Sequence, residues 1–298
     1  MIYYLTSERN AGVMQAFLGT WGHSLVRRIA IVSYERLIAE KHFRLPSGTY
    51  IFTSIGQSLG TRDPPSPARQ WAIRLHAALI EQLGPARVLN DPSHSLRRFG
   101  LLRALGEADL NRFQVHRAGD GAADMRFPVF LRHEYGTVWN APALLATREA
   151  YETELTRTDN AGLLAIEYCD TRDAHGIYRK YGCFVVGERI VPRHLFLSRN
   201  WLVKSADIVD GAVVGEELAF LEANPHAETL LRACRLANIS YGRIDYALLD
   251  GAPQIWEINI TPQIVTRPGE DTPDRNPAHE KFAAAFAAAM AAIDPAGA

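Results

Sequence analysis

Cysteine is scarce in this chain. Its 298 residues hold three, Cys169, Cys183 and Cys234, each isolated in sequence. That spacing excludes a disulfide framework and a cysteine-rich zinc site, and it fits small buried hydrophobes in a reducing cytoplasm. An excess of one charge is also missing. The 32 Lys and Arg against 33 Asp and Glu leave a net charge of −1. Without a Lys/Arg block, neither nucleic acid nor an anionic membrane is an expected partner. No apolar run approaches the ~20 residues of a membrane helix. The longest candidate, FAAAFAAAMAAI near the C-terminus, is short and alanine-rich. The opening MIYYLTSERN has no basic stretch followed by an apolar one, so no secretory leader is expected and the cytoplasm is the expected location. No G-x-G-x-x-G fingerprint marks a dinucleotide site, and no internal repeat or low-complexity linker is visible.

What is there is a 47% hydrophobic content, enough for one large or two ordinary domains. Over the first ninety residues strand-like and helix-like segments alternate. IYYL, IAIVSY and TYIFTSI read as strands. Ser66-Pro67 opens a helix with Trp71, Leu75 and Leu79 as its apolar stripe, and Gly84 closes it. ARVLNDP runs from strand into loop. This alternation predicts an open α/β layer over residues 1–92. Beyond it, Ser93 is expected to cap the helix SHSLRRFGLLRAL, ended by Gly106. Strands follow in NRFQVHRA, RFPVFLRH and GLLAIEY, with a Thr147-capped helix REAYETEL between the last two. Two more strands flank Gly187, Asn224-Pro225 opens a helix, and Asn276-Pro277 opens a last one with Phe282, Phe286 and Met290 on one face.

The chemistry concentrates in GRIDYALLDGAPQIWEIN, residues 242–259. Asp250-Gly251 is a hairpin turn signal between two β-rich runs. A loop centred near Gly251 sets Asp245 opposite Glu257 and Arg243 opposite Asn259, all on one face. Opposed carboxylates destabilise a strand pair, and burial strips their solvation. A proton on one carboxyl, neutralisation by Arg243, or a divalent cation between them would each relieve the conflict. The donor set is oxygen only, with no His or Cys between, which favours Mg²⁺ over zinc. Basic residues elsewhere, among them Arg97, Arg98, Arg132, Arg179, Lys180, Arg193 and Lys204, suit a triphosphate with that metal.

The order and spacing of these parts resemble the ATP-grasp fold, in its D-alanine–D-alanine ligase type of catalytic core, over roughly residues 90–265. GRIDY followed by IWEINITPQI is similar to that family's R-x-D strand and E-x-N segment. The resemblance implies an N-terminal α/β layer, residues 1–92, before a two-subdomain ATP-grasp unit, 93–298. Its lid would span about 93–165 and its metal-bearing subdomain about 166–298. It implies that Asp245, Glu257 and Asn259 hold one or two Mg²⁺, or Mn²⁺ as a substitute, and that Arg243 and Arg179 meet the transferred phosphate or the substrate. PVFLRHEYGT resembles the strand and glycine loop that close over phosphates, with Arg132 where the family usually has Lys and with Gly136 in the loop. AIEYCD resembles the hinge that reads adenine, placing Glu167 and Tyr168 there and Asp170 or Asp173 at the ribose. Lys204 matches a later phosphate-binding lysine, and Arg97 or Arg98 another base. The implied activity is an ADP-forming carboxylate–amine ligase on small-molecule or peptide substrates, as a possible homodimer. Phosphotransfer to another acceptor and a nucleotide-binding protein with little turnover remain the alternatives.

Overall fold

The computed structural model describes residues 1–40, 46–54, 67–121, 123–134, 142–265 and 272–294. The chain begins with β1 (Ile2–Thr6), α1 (Ala11–Leu18), β2 (Ile29–Ser33), α2 (Tyr34–Ala39), β3 (Thr49–Phe52), α3 (Pro67–Leu83) and β4 (Val88–Leu89). The four strands form a parallel sheet in the order β2-β1-β3-β4. On α3, Leu75 and Leu79 are buried as their spacing predicts, and Gly84 closes the helix at φ 80°. Ser66, expected as its cap, lies outside the described residues.

Next come α4 (Arg98–Glu107), β5 (Val115–Arg117), β6 (Val129–His133), α5 (Arg148–Arg157) and β7 (Leu163–Glu167). Their sheet is antiparallel, in the order β5-β7-β6. Thr147 caps α5 by accepting the Ala150 N–H. Ser93 does not cap α4. The Ser93 and His94 N–H groups both donate to Asp91 Oδ1, a local turn that delays the helix to Arg98. Gly106 lies inside that helix, which runs one residue further.

The remainder holds β8 (Tyr178–Val186), β9 (Arg189–Ser198), α6 (Gly211–Ala223), α7 (Ala227–Leu236), β10 (Tyr241–Leu249), β11 (Ala252–Asn259) and α8 (Asn276–Ala292). The strands form an antiparallel sheet ordered β11-β10-β8-β9. Asn224 does not open α7. It terminates α6 in the left-handed region at φ 44°, a conformation Asn tolerates, and α7 starts at Ala227. α6 itself, capped by Asp210, has no strong sequence signal.

This third sheet is covered unequally. Tyr181, Cys183, Val185, Ile244 and Tyr246 share a core with α4, α6 and α7. On the other face, Phe184, Val186 and Tyr241 join Phe282, Phe286 and Met290 of α8 and Ile2 and Tyr4 of β1. The aromatic stripe of α8 therefore ties the first sheet to the third. Further along, the same face carries Lys180, Arg243 and Asp245 rather than apolar residues.

The hairpin has the expected register, Arg243 opposite Asn259 and Asp245 opposite Glu257. It gets there by two devices. Leu249 pairs with Ala252 across a tight turn in which Asp250 and Gly251 have φ of 51° and 77°. Tyr246 then pairs with Ile255, so Trp256 is an extra residue, a bulge. Without it, the two-residue turn would set Asp245 opposite Trp256 and send Glu257 to the apolar face.

Candidate functional site

Asp245 is 7% exposed, yet it is fully engaged by its neighbour two residues back. Arg243 donates Nε to Oδ1 at 2.7 Å and Nη2 to Oδ2 at 2.9 Å. Burial alone would lower the Arg243 pKa, but Asp245 outweighs it and the guanidinium is held above its ordinary value. Glu257 is met from elsewhere. Arg98, the first residue of α4, donates Nη2 to Oε2 at 2.6 Å, and Arg132 on β6 donates Nη2 to the same oxygen at 2.9 Å. Burial raises the Glu257 pKa, but the Arg132 and Arg98 cations overcome that and hold it at about 2. Arg98 also donates Nη1 to the His133 carbonyl at 2.8 Å, binding the end of β6 to the same point. Arginines thus relieve the opposed carboxylates, Arg243 at one and Arg98 with Arg132 at the other.

Other charges complete the face. Lys180 shares it, its Nζ 5.2 Å from the Phe196 ring centroid. Burial pushes the Lys180 pKa down while Asp245 and Glu257 push it up, and the net shift is down. Lys204 is also lowered, by burial and then by Arg132 and Arg98. Among the described residues, the buried donors Nε of Arg98 and Nε of Arg132 have no hydrogen-bond partner. The local balance is cationic and fits a polyanion. Asn259 Oδ1 accepts the Thr261 N–H at 2.8 Å, and Thr261 Oγ1 accepts the Ser54 N–H at 2.7 Å. Ser54 in turn bonds Thr6 Oγ1 at 2.9 Å. The carboxyl ends of β1 and β3, where open α/β sheets bind ligands, therefore abut the end of the hairpin.

The other expected site residues are distributed differently. Arg179 lies on the opposite face of β8 from Lys180, donating to Asp173 Oδ2 at 2.5 Å and Glu216 Oε1 at 2.7 Å. The structure does not bring Arg179 or Asp173 to the carboxylate face. The Arg179 hydrogen bond, with backbone donors, holds Asp173 at about 2. Asp170 pairs with Arg172. Glu167 is 2% exposed, and its carboxylate accepts the Gln114 and Arg126 N–H groups and the Arg126 guanidinium. The Glu167 and Tyr168 N–H groups go to the Gln114 and Pro128 carbonyls. That segment leaves the β5-β7-β6 sheet just before β8, with Trp201 edge-on to Tyr168. Gly136 lies outside the described residues. Between Arg97 and Arg98 the structure separates the roles, since Arg97 is the residue preceding α4 while Arg98 reaches Glu257. Sequence reasoning passed over Lys180 in favour of Arg179. The signal was available, because side-chain alternation places only one of them on the face of Asp245.

No protein-family model and no curated protein matches the sequence. Solved structures do match along the whole chain. The ATP-grasp ligase PsnB, complexed with minimal precursor, covers 97% of this chain and 98% of its own at TM-score 0.57 and 14% identity. D-alanine–D-alanine ligase from Bacillus anthracis covers 98% of both chains at TM-score 0.51 and 12% identity. The RimK domain ATP-grasp protein from Sphaerobacter thermophilus covers 97% and 98% at TM-score 0.51 and 14% identity.

This chain has an ATP-grasp fold. Within the ATP-grasp frame, Asp245, Glu257 and Asn259 stand at the junction of all three sheets. Their donors are two carboxylates and one amide carbonyl, and among the described residues no cluster of three or more His, Cys, Asp or Glu competes for a metal. An oxygen-only set this small fits a hard cation that completes its shell with phosphate oxygens and water. Mg²⁺ is a cation of that kind.

Proposed function

We propose that this ATP-grasp chain is an ATP- and Mg²⁺-dependent, ADP-forming carboxylate–amine ligase that works through an acyl phosphate. The observation that carries this reading is the convergence on Glu257. Asp245, Glu257, Asn259 and Arg243 share one sheet face, and Arg98 and Arg132 reach Glu257 from α4 and β6. Asp245, Glu257 and Asn259 would hold Mg²⁺, which neutralises phosphate charge when bound. Arg98, Arg132 and Lys204 supply donors to the β- and γ-phosphates, and Arg98 and Arg132 each have a buried Nε that no acceptor among the described residues satisfies. Arg243 and Lys180 face the transferred phosphoryl group. The backbone following Glu167 and Tyr168 borders adenine, with Asp170 or Asp173 as ribose partner. Residues 1–92 form the acceptor-side layer, about 93–165 the lid, and about 166–298 the metal-bearing subdomain. Catalysis is positioning and charge neutralisation, with these groups aimed where charge spreads over the transferred phosphoryl oxygens.

The substrates are small acids and amines or peptides, the classes suggested by similarity to a D-alanine–D-alanine ligase and to a ligase bound to a precursor. The test is incubation with ATP, Mg²⁺, a pooled acid mixture and hydroxylamine, read by mass spectrometry. ADP together with a hydroxamate is expected, and it identifies the activated acid. ADP with a phosphorylated metabolite and no hydroxamate replaces the ligase with a kinase, and nucleotide binding with no product replaces both with a binding protein.

A further inference from the structure

The carboxylate face holds a buried group that the ligase reading leaves idle. Between β8 and β9, Gly182 pairs with His194 but Cys183 pairs with Pro192, so Arg193 is an extra residue. A bulge of this kind re-aims side chains at the edge of a sheet. Arg193 and His194 are both buried, at 4% and 2% exposure. Arg193 Nε donates to the Ile264 carbonyl at 2.6 Å. The His194 ring lies flat on Phe196, centroids 4.0 Å apart, and leans across Gly182. A Cβ on Gly182 would stand 2.6 Å from His194 Nε2, so only glycine admits the ring there. Gly182 is the direct partner of Asp245 on β10. The imidazole therefore reaches over β8 toward the strand that carries Asp245 and Arg243.

Buried His194 Nε2 has no hydrogen-bond partner among the described residues. Buried polar nitrogens are rarely left so, and an exception needs an explanation such as a catalytic role, an ion or a water. The cations that act most on this ring are Arg243, Arg193, Lys180 and Arg275, of which Arg243 is paired with Asp245 and Arg275 with Glu217. Burial first, then those cations, push its pKa well below the usual value, so the ring is neutral. With those two pairs formed, the added positive charge of Lys180 on this face suits an anion better than a metal ion. A neutral imidazole among them serves as an N–H donor.

We propose that His194 Nε2, with Lys180 and Arg243, forms an anion subsite for the carboxylate of the acid substrate and then for the phosphoryl oxygens of its acyl phosphate. This rests on the ligase reading. In the step it serves, a carboxylate oxygen bonds to the γ-phosphorus, the bond from that phosphorus to the bridging oxygen breaks, and ADP leaves with the electron pair. No proton moves, and His194 keeps its own throughout.

Histidine-¹⁵N-labelled protein, saturated with ADP and Mg²⁺, is titrated with inorganic phosphate as the probe. The Nε2 resonance of His194, assigned by its loss in His194→Gln, is expected to shift as phosphate binds. His194→Leu is expected to weaken phosphate by about 10- to 100-fold, as for a lost hydrogen bond to a charged group, and to leave ADP·Mg²⁺ affinity within about twofold. His194→Gln, which keeps an N–H donor, should lose less. Unchanged phosphate affinity in His194→Leu, or an Nε2 resonance that ignores phosphate, overturns the subsite. If His194→Leu does not fold, the wild-type resonance decides alone. Failure of ADP·Mg²⁺ to bind the wild type overturns the nucleotide reading instead.

Discussion

Replacing Glu257 by Gln removes the anion on which two arginines from different elements converge. The side chains of Glu257, Arg98 and Arg132 are 18%, 9% and 16% exposed, so little solvent is at hand to take over. Lowering of the Glu257 pKa from 4.5 to about 2 is worth roughly 3 kcal/mol to the folded state near neutral pH. That agrees with the lower end of the ~3–5 kcal/mol cost of breaking a buried pair. Nucleotide-free Glu257→Gln should therefore unfold about 5–10 °C below the wild type near pH 7. The pH dependence follows from the sign of the shift. A carboxylate whose folded pKa is depressed contributes its full stability above the unfolded value and loses it as pH falls toward the folded one. The gap between wild type and variant should hold from about pH 7 to 5 and shrink to roughly 2 kcal/mol by about pH 3.5. Thermal unfolding of both proteins across that range is the assay. Equal stability near pH 7, or a gap that does not narrow in acid, refutes the assignment of Glu257 as an ionised hub. Turnover supplies a separate readout, with a loss of about 10²–10³ in ATP consumption expected if Glu257 holds the metal at the transferred phosphate.

Arg132→Ala should raise the ATP KM or lower kcat by about tenfold or more in steady-state kinetics, since a charge-assisted bond to phosphate is lost; near-wild-type constants would leave Arg132 as a counter-ion of Glu257 alone. Arg179→Ala should keep ATP turnover within about threefold and cost no more than ~1 kcal/mol in denaturant unfolding, because its partly exposed pairs with Asp173 and Glu216 lie on the far face of β8. Glu217→Gln should lower stability by about 3–5 kcal/mol, since Glu217 is fully buried and pairs with Arg275, itself 3% exposed, at 2.6 Å. Denaturant midpoints of the variant and wild type check it.

Much of the hairpin was legible because turn chemistry is local. Asp250-Gly251 names its own conformation, and alternation then assigns faces. The strands of the parallel layer and the helix stripes on α3 and α8 were legible for the same reason. Helix starts were less so. At Ser93 and Asn224 the residue types suit a cap, but Asp91 captures one segment in a turn and the end of α6 takes the other. Among the basic residues, sequence assigned roles to Arg98, Arg132 and Arg179 and gave none to Lys180, which shares the carboxylate face. Arg98 was separable from Arg97 only once α4 was placed beside β11.

By itself the sequence determined two β-rich runs around an Asp-Gly turn, an arginine and a carboxylate two residues apart on one run, and an oxygen-only set of Asp, Glu and Asn across the two. These are properties of residue type and of a period of two along adjacent strands, so they need no distant partner. The tertiary structure decided which cations meet those carboxylates. Glu257 lies 159 residues from Arg98 and 125 from Arg132, separations over which sequence carries no geometric information. It also decided, through one extra residue at Trp256 and another at Arg193, which side of the sheet Glu257 and His194 occupy. A bulge inverts every side chain beyond it, and only the packing of the two faces determines whether one forms.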